Sequence, residues 1–406
     1  MAKGKGKKLV DVALAIELLL ARSRNFELFV LLLLARRIKQ VGETGQPINA
    51  KQQEKDLQEI ARRLHLLEVL QATDENRILE TVLNNAYLVS KIYFDFRRLD
   101  FLSLEKNKPL FDVLQRFIDR ASKSVKYIYE AQAFMIRDPK DRKKLIPTPI
   151  SEAYNEVINR AAEQVQSGEG DFTSAMRQTI QDLADNGMQT VEYDTPSGKP
   201  YHQSTEAAVK RNLEDNIRSI NQEAQDEVGR QFGADGKEIT VHEHSAPDHE
   251  DIQGHQFSNE EYEKMQNQED FQDYKGKKYK AIKRAIGTLN CRHFAYSIIL
   301  GVSPQTLNDD ELENNIKRNH EGYTDADGKH RSLYECEQEM RRLERLIRNN
   351  KRGQMTALEA GDIELARKYQ MKVNHYIEEY KQFCNDCGLK PKGKNLYVEG
   401  YKPIKI

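Results

Sequence analysis

TVHEHSAPDHEDIQGHQFS (Thr240–Ser258) and, beyond an acidic spacer, IGTLNCRHFAYSIILGVSP (Ile286–Pro304) decide how this chain is read. Four of the ten histidines lie between His242 and His255, and His293 follows Cys291 by two positions. A strand over 237–242 is expected to deliver His242 and His244 to a sheet edge. The Pro247-Asp248 turn then redirects the chain, and Gly254 lets backbone approach closely. Gly287–Asn290 brings Cys291-Arg292-His293 to the start of an expected apolar helix over 294–300, whose N-terminus would attract the carboxylate of Asp248 or Glu250. The structural expectation is a small mixed α/β knot stapled by polar side chains.

His249, Cys291 and His293 supply the nitrogen and sulfur donors that zinc takes in tetrahedral sites, with His242, His244 and His255 as further donors. The spacing is not that of a finger or ribbon, and no CxxC pair lies beside it. The residues are therefore read first as a buried polar network, in which imidazoles bond backbone carbonyls and Arg292 pairs with Asp248 or Glu250; zinc is the alternative. A cysteine nucleophile would need an oriented base and oxyanion donors, and Cys291 beside Arg292 has no such support. The long spacer between Gln256 and Gly287 argues against a compact metal-nuclease motif. No catalytic residue is assigned.

His244-Ser-Ala-Pro-Asp-His249, Gln253-Gly254 and Asn290-Cys291-Arg292-His293 together resemble the signature of the phage minor capsid protein 2 family, itself similar to the head-morphogenesis proteins of tailed phages. Tyr193–Gly198 (YDTPSG), Ala207–Arg211 and Tyr334–Arg352 fit the same pattern, so the resemblance spans residues 150–390. The chain departs from that pattern at Ala246 and Ile252, has no Trp, and carries an acidic insertion over 259–273. The resemblance implies a non-enzymatic, low-copy virion component at the portal vertex that assists head assembly and DNA packaging or ejection. Its implied partners are the portal and other head proteins, with no membrane. The implied structural signature is His244, His249, Gln253, Gly254, Cys291, Arg292 and His293. A virion-delivered nuclease or transferase, or a nucleic-acid-binding module, is the alternative.

Working outward, residues 1–150 carry 28 Lys+Arg against 19 Asp+Glu, and the remainder 35 against 45. The basic N-terminal part is thus the part suited to packaged DNA or an acidic protein surface, or else it is a solvated helical face. The basic opening MAKGKGKK is not read as a secretory signal, because Asp11 and Glu17 interrupt the apolar run behind it. Four scattered cysteines make no disulfide framework and suit a reducing cytoplasm. Phe26–Ala35 contains a single charge but is far shorter than the ~20 residues of a membrane span. A helix so apolar must be buried, as a central bundle helix or beneath a partner.

Apolar residues recur at helical spacing from 49 to 137, with breaks expected at Thr73-Asp74, Asn107–Pro109 and Asp138-Pro139, giving four or five helices. Pro147-Thr148-Pro149 closes that segment as extended backbone. A short strand is expected over 189–193, and two amphipathic stripes flank Glu359–Asp362 as a helical hairpin. Cys384 and Cys387 are read as incidental thiols, and the Lys- and Tyr-rich tail from Lys390 as lying along a neighbour. The fold class is mainly α with a small α+β central domain. In chain order this gives a basic helical domain over 1–147, a central domain over 151–303 with the His and Asn-Cys-Arg-His motifs, and a helical hairpin with extended tail over 304–406.

Overall fold

Long helices carry most of the chain because apolar residues recur every three to four positions over most of its length. A computed structural model describes residues 11–138, 140–141, 143–167, 172–192, 201–288, 291 and 293–405. The basic opening, the YDTPSG segment and Arg292 fall outside these residues. In chain order come α1 (Val12–Thr44), α2 (Ala50–Val89), α3 (Lys91–Arg97), α4 (Lys108–Glu130), β1 (Gln132–Arg137), β2 (Leu145–Pro149), α5 (Ile150–Ser167) and α6 (Phe172–Asn186). Next are β3 (Met188–Glu192), β4 (Tyr201–Ser204), α7 (Thr205–Phe232), β5 (Gly236–Ile239), β6 (Gln256–Ser258), α8 (Asn259–Gln266), β7 (Phe271–Gln272), β8 (Lys278–Tyr279) and β9 (Ala295–Ile298). The chain ends with α9 (Asp309–Glu321), β10 (Tyr323–Thr324), β11 (His330–Arg331), α10 (Leu333–Glu359) and α11 (Ile363–Asp386).

The break expected at Thr73-Asp74 does not occur, and α2 runs straight through it. Neither residue removes a backbone donor, Asp74 finds Arg77 one turn on at 3.5 Å, and the stripe resumes with buried Ile78 and Leu79.

Packing separates the chain into two compact units. The first holds Ala72–Lys123 and Arg211–Cys336 with a short N-terminal piece ending at Ile16; the second holds Glu17–Gln71, Ser124–Lys210 and Glu337–Ile406. Division by packing thus draws each unit from separated stretches, whereas the three-part division of the sequence follows chain order.

In the second unit α1 buries Leu19, Leu20, Phe26, Val30, Leu31, Leu34, Ile38 and Val41. The apolar run is therefore covered by its own chain, and the idea that a partner covers it is corrected. Glu27 on the same helix is buried too, accepting from the Met188 amide at 2.6 Å and from Arg352 at 2.8 Å. A four-stranded antiparallel sheet in the order β2-β1-β3-β4 lies in this unit, with α5 and α6 packed on β1. β1 has no counterpart in the sequence reading: Ala133–Ile136 is buried on both faces and lacks the alternation that marks a half-exposed strand.

The C-terminal hairpin of α10 and α11 forms as expected. Asp362 caps α11 by accepting from the Leu365 amide at 2.9 Å, and Met340, Leu343 and Ile347 pack against Tyr380 and Cys384. The tail, expected along a neighbour, instead lies on this hairpin. Arg348 donates to Asn395 O at 2.6 Å, Gln354 to Lys402 O at 3.0 Å and Tyr401 to Gln370 at 2.9 Å. Extended backbone needs such partners, and polar side chains along α10 and α11 supply them.

In the first unit the C-terminal half of α2 packs with α3, α4 and α7 around Leu83, Tyr87, Leu110, Phe117 and Ile220. A three-stranded antiparallel sheet, β6-β5-β9, and α8 enclose a second core of Ile239, Phe257, Met265 and Ala295. The helix expected over 294–300 is the strand β9. Ala295, Ser297 and Ile298 are buried while Tyr296 is exposed, and the free strand edge is satisfied by α7. Gln222 accepts from the Ala295 amide at 3.0 Å, Gln225 from the Ser297 amide at 3.3 Å, and the Ser297 hydroxyl donates to Gln225 O at 2.6 Å. Gly229 of α7 permits this approach, since a Cβ there would meet the Ser297 side chain, its Cβ at 2.7 Å. With no helix at 294, Asp248 and Glu250 have other partners.

Candidate functional site

The site forms where the loop after β5 meets the segment before β9. Thr240 closes the junction from both sides: its amide donates to Phe294 O at 3.0 Å and its hydroxyl accepts from the Phe294 amide at 3.2 Å. Pro247–His249 makes a single 3-10 turn that swings the His249 ring inward. Gly254 then returns the chain to β5, its amide donating to Ile239 O at 2.8 Å. Its φ of +73° and the nearness of Leu312 and Val241 leave no room for a side chain, as the close approach expected of this glycine requires.

His249, Cys291 and His293 meet in the interior at 0%, 2% and 3% exposure. Cys291 Sγ lies 3.2 Å from His249 Nδ1 and 3.5 Å from His293 Nδ1. His249 Nε2–H donates to Arg284 O at 2.9 Å, and His293 Nε2 faces Gln253 Oε1 at 3.4 Å. Gln253 Oε1 also accepts from the His242 amide at 3.0 Å, and the His242 ring stands edge-on to His293 with centroids 4.7 Å apart. Of the expected signature, the structure thus brings together His249, Gln253, Cys291 and His293, with Gly254 shaping the turn. His244 is half-buried on that loop but outside this cluster. His255 packs instead beside Phe257 and Tyr279.

Electrostatics follow from burial and from these contacts. Burial pushes the Cys291 thiol up, but the hydrogen bond from His249 and the Gly287 and His293 backbone outweigh it and leave the thiol below its ordinary value. Burial pulls His249 down, yet Cys291 and the Arg284 carbonyl hold it above the usual imidazole value. His293, desolvated and beside His242 and His249, falls to about 3 and stays neutral.

Around this centre lies a ring of charge: the sequence pointed to its acids, Asp248 and Glu250, with Arg292 as their partner, but not to the partners described next. Arg284 forks onto Asp248 at 2.7 and 3.1 Å. Burial raises the Asp248 carboxyl, and Arg284 with His249 more than reverses the effect. Glu250 is bound by Asn319 and by His320 at 2.7 Å, and Asn319 also donates to Ser245 O at 3.1 Å and accepts from the Tyr334 amide at 3.0 Å. Only one sequence signal pointed to the latter pair, the Asn315/Asn319 repeat one turn apart on an otherwise charged helix. Arg284 carried no signal, because it lies in a Lys-rich stretch.

Such an arrangement can fix two loops, or hold a cation, in a place shielded from water. A groove in the same unit is lined by Glu238, Thr240, Glu243, Tyr296, Glu311 and Arg318 among others, and none of the three cluster residues lines it. No helix among the described residues is long and apolar enough to cross a membrane.

Comparison with known proteins places this chain in a family. The family model for phage minor capsid protein 2 matches residues 24–385. No curated protein and no solved structure matches. The match takes in α2–α4, which the motif resemblance left out, as well as both loops of the buried cluster and the greater part of the C-terminal hairpin. The chain belongs to the phage minor capsid protein 2 family.

Proposed function

We propose that this capsid protein is a non-catalytic component of the portal vertex, present in few copies, that assists head assembly and the passage of DNA. Family membership supports a place in the virion among other head proteins. The observation that carries the docking role is an exposed apolar run at the end of α2, along α3 and just beyond it: Leu88, Val89, Ile92, Phe96, Leu99 and Leu102 are 44–67% exposed. Isolated exposed apolar residues are ordinary, but a succession of large ones within 15 positions suits a protein partner. The portal ring is the partner assigned to it here. Burial of His249, Cys291 and His293 supports a structural role for the signature, because a nucleophile must meet its substrate.

The test is co-purification with portal from assembling heads. Residues 1–40 cannot simply be removed for this purpose, since α1 is core. The double substitution Ile92→Asp with Phe96→Ser alters the exposed run instead; although Phe94 between them is buried, both altered side chains face outward. Loss of portal co-purification with an unchanged melting curve is expected. Full retention would overturn the docking role.

A further inference from the structure

The geometry points to a zinc site formed by His249 Nδ1, Cys291 Sγ and His293 Nδ1. Their ligand atoms lie within 4.8 Å of one another, and all three residues are buried. The hydrogen-bond pattern outside the cluster fixes what faces inward. His249 Nε2 meets a backbone carbonyl, which can only accept, so that nitrogen carries a proton. Gln253 Oε1 accepts from the His242 amide, which identifies it as the oxygen, so His293 Nε2 is protonated as well. Both neutral rings therefore turn the lone pair of Nδ1 toward one sulfur.

A thiol has a single proton and can satisfy only one of these two nitrogens. Moving that proton to His249 leaves the His293 lone pair facing a thiolate, so the conflict persists in either protonation state. A divalent cation removes it: zinc displaces the thiol proton to solvent, and three lone pairs converge on the metal. The distances fit. With Zn–S about 2.3 Å and Zn–N about 2.05 Å at a tetrahedral angle, sulfur and nitrogen ligands sit about 3.6 Å apart. The observed separations are 3.2 and 3.5 Å. Outer hydrogen bonds from each ring to an oxygen are what orient histidine ligands in metal sites. His242, packed against His293, is a further donor beside them. The bound ion would join the loop after β5 to the segment before β9, a linkage independent of any docking at the portal.

The experiment uses the full chain, made without a metal-binding tag. Bound zinc is measured by mass spectrometry after dialysis, and the metal-free chain is titrated with cobalt(II). About one zinc per chain is expected, with a sulfur-to-cobalt charge-transfer band and the visible bands of tetrahedral cobalt. Cys291→Ser should lose the band and the zinc, while Cys336→Ser and Cys384→Ser should keep both. As Cys291→Ser can itself fold poorly, the cobalt spectrum of the unaltered folded chain is decisive alone. A folded chain that gives no charge-transfer band, or zinc far below one per chain and unchanged by Cys291→Ser, overturns the site.

Discussion

Cys291 Sγ lies 3.2 Å from His249 Nδ1, joining two loops that are remote in the chain. Both groups are removed from water, and the sulfur is the polar partner of His249 Nδ1. Cys291→Ala should therefore lower stability by about 1–3 kcal/mol, the cost of leaving buried imidazole nitrogen without a partner, and His249→Ala, which takes the donor from the Arg284 carbonyl, should cost a similar amount. The double variant should lose less than the sum, because the second change removes a group already orphaned. Calorimetry on the four proteins checks this; melting temperatures identical to the parent would remove the idea of a staple.

Glu75 offers a pH-dependent test in the helical part of the first unit. It is fully buried, accepts from Asn216 at 2.8 Å through one oxygen, and its other oxygen has no hydrogen-bond partner among the described residues. Burial pushes its carboxyl from 4.5 to about 7, against the smaller opposing effect of Asn216. The folded-state value lies above the unfolded one, so the stability this group contributes is full below pH 4.5 and is lost as pH rises to about 7. The loss is on the order of 3 kcal/mol. Glu75→Gln should unfold at higher denaturant concentration than the parent at pH 8, with the gap closing toward pH 4. An equal gap at both values would mean that folding does not shift this carboxyl.

Gly254→Ala should be costly for two separable reasons. A φ of +73° strains any L-residue by about 1 kcal/mol or more, and the new Cβ would lie 2.9 Å from Val241 Cγ2 and closer still to Leu312. Pairing it with Leu312→Ala should recover only the packing part. Complete recovery in urea melts would show that the backbone angle costs nothing.

Much of this was legible in the residues. The His, Gln-Gly and Cys-Arg-His segments announced a meeting of two loops, and the stripes on α10 and α11 announced a hairpin, because both depend on local spacing. What stayed hidden depends on neighbours distant in the chain. Phe294–Leu300 looks helical as an isolated apolar run. Gln222, Gln225 and Gly229 of α7 make it a strand by supplying its edge partners and room to approach. Arg284, Asn319 and His320 acquire their roles only through Asp248 and Glu250. The Phe26–Ala35 run left two covers open for the same reason: an apolar helix declares that it needs cover, but not whether its own chain or a partner provides it.

An asymmetric density map of the intact particle, with this chain located in it, bears most directly on the proposed role. Density for the chain at a single vertex, with α3 against the portal ring, is the predicted result. Density at every vertex or across the shell lattice, or a mature particle with none, would contradict it.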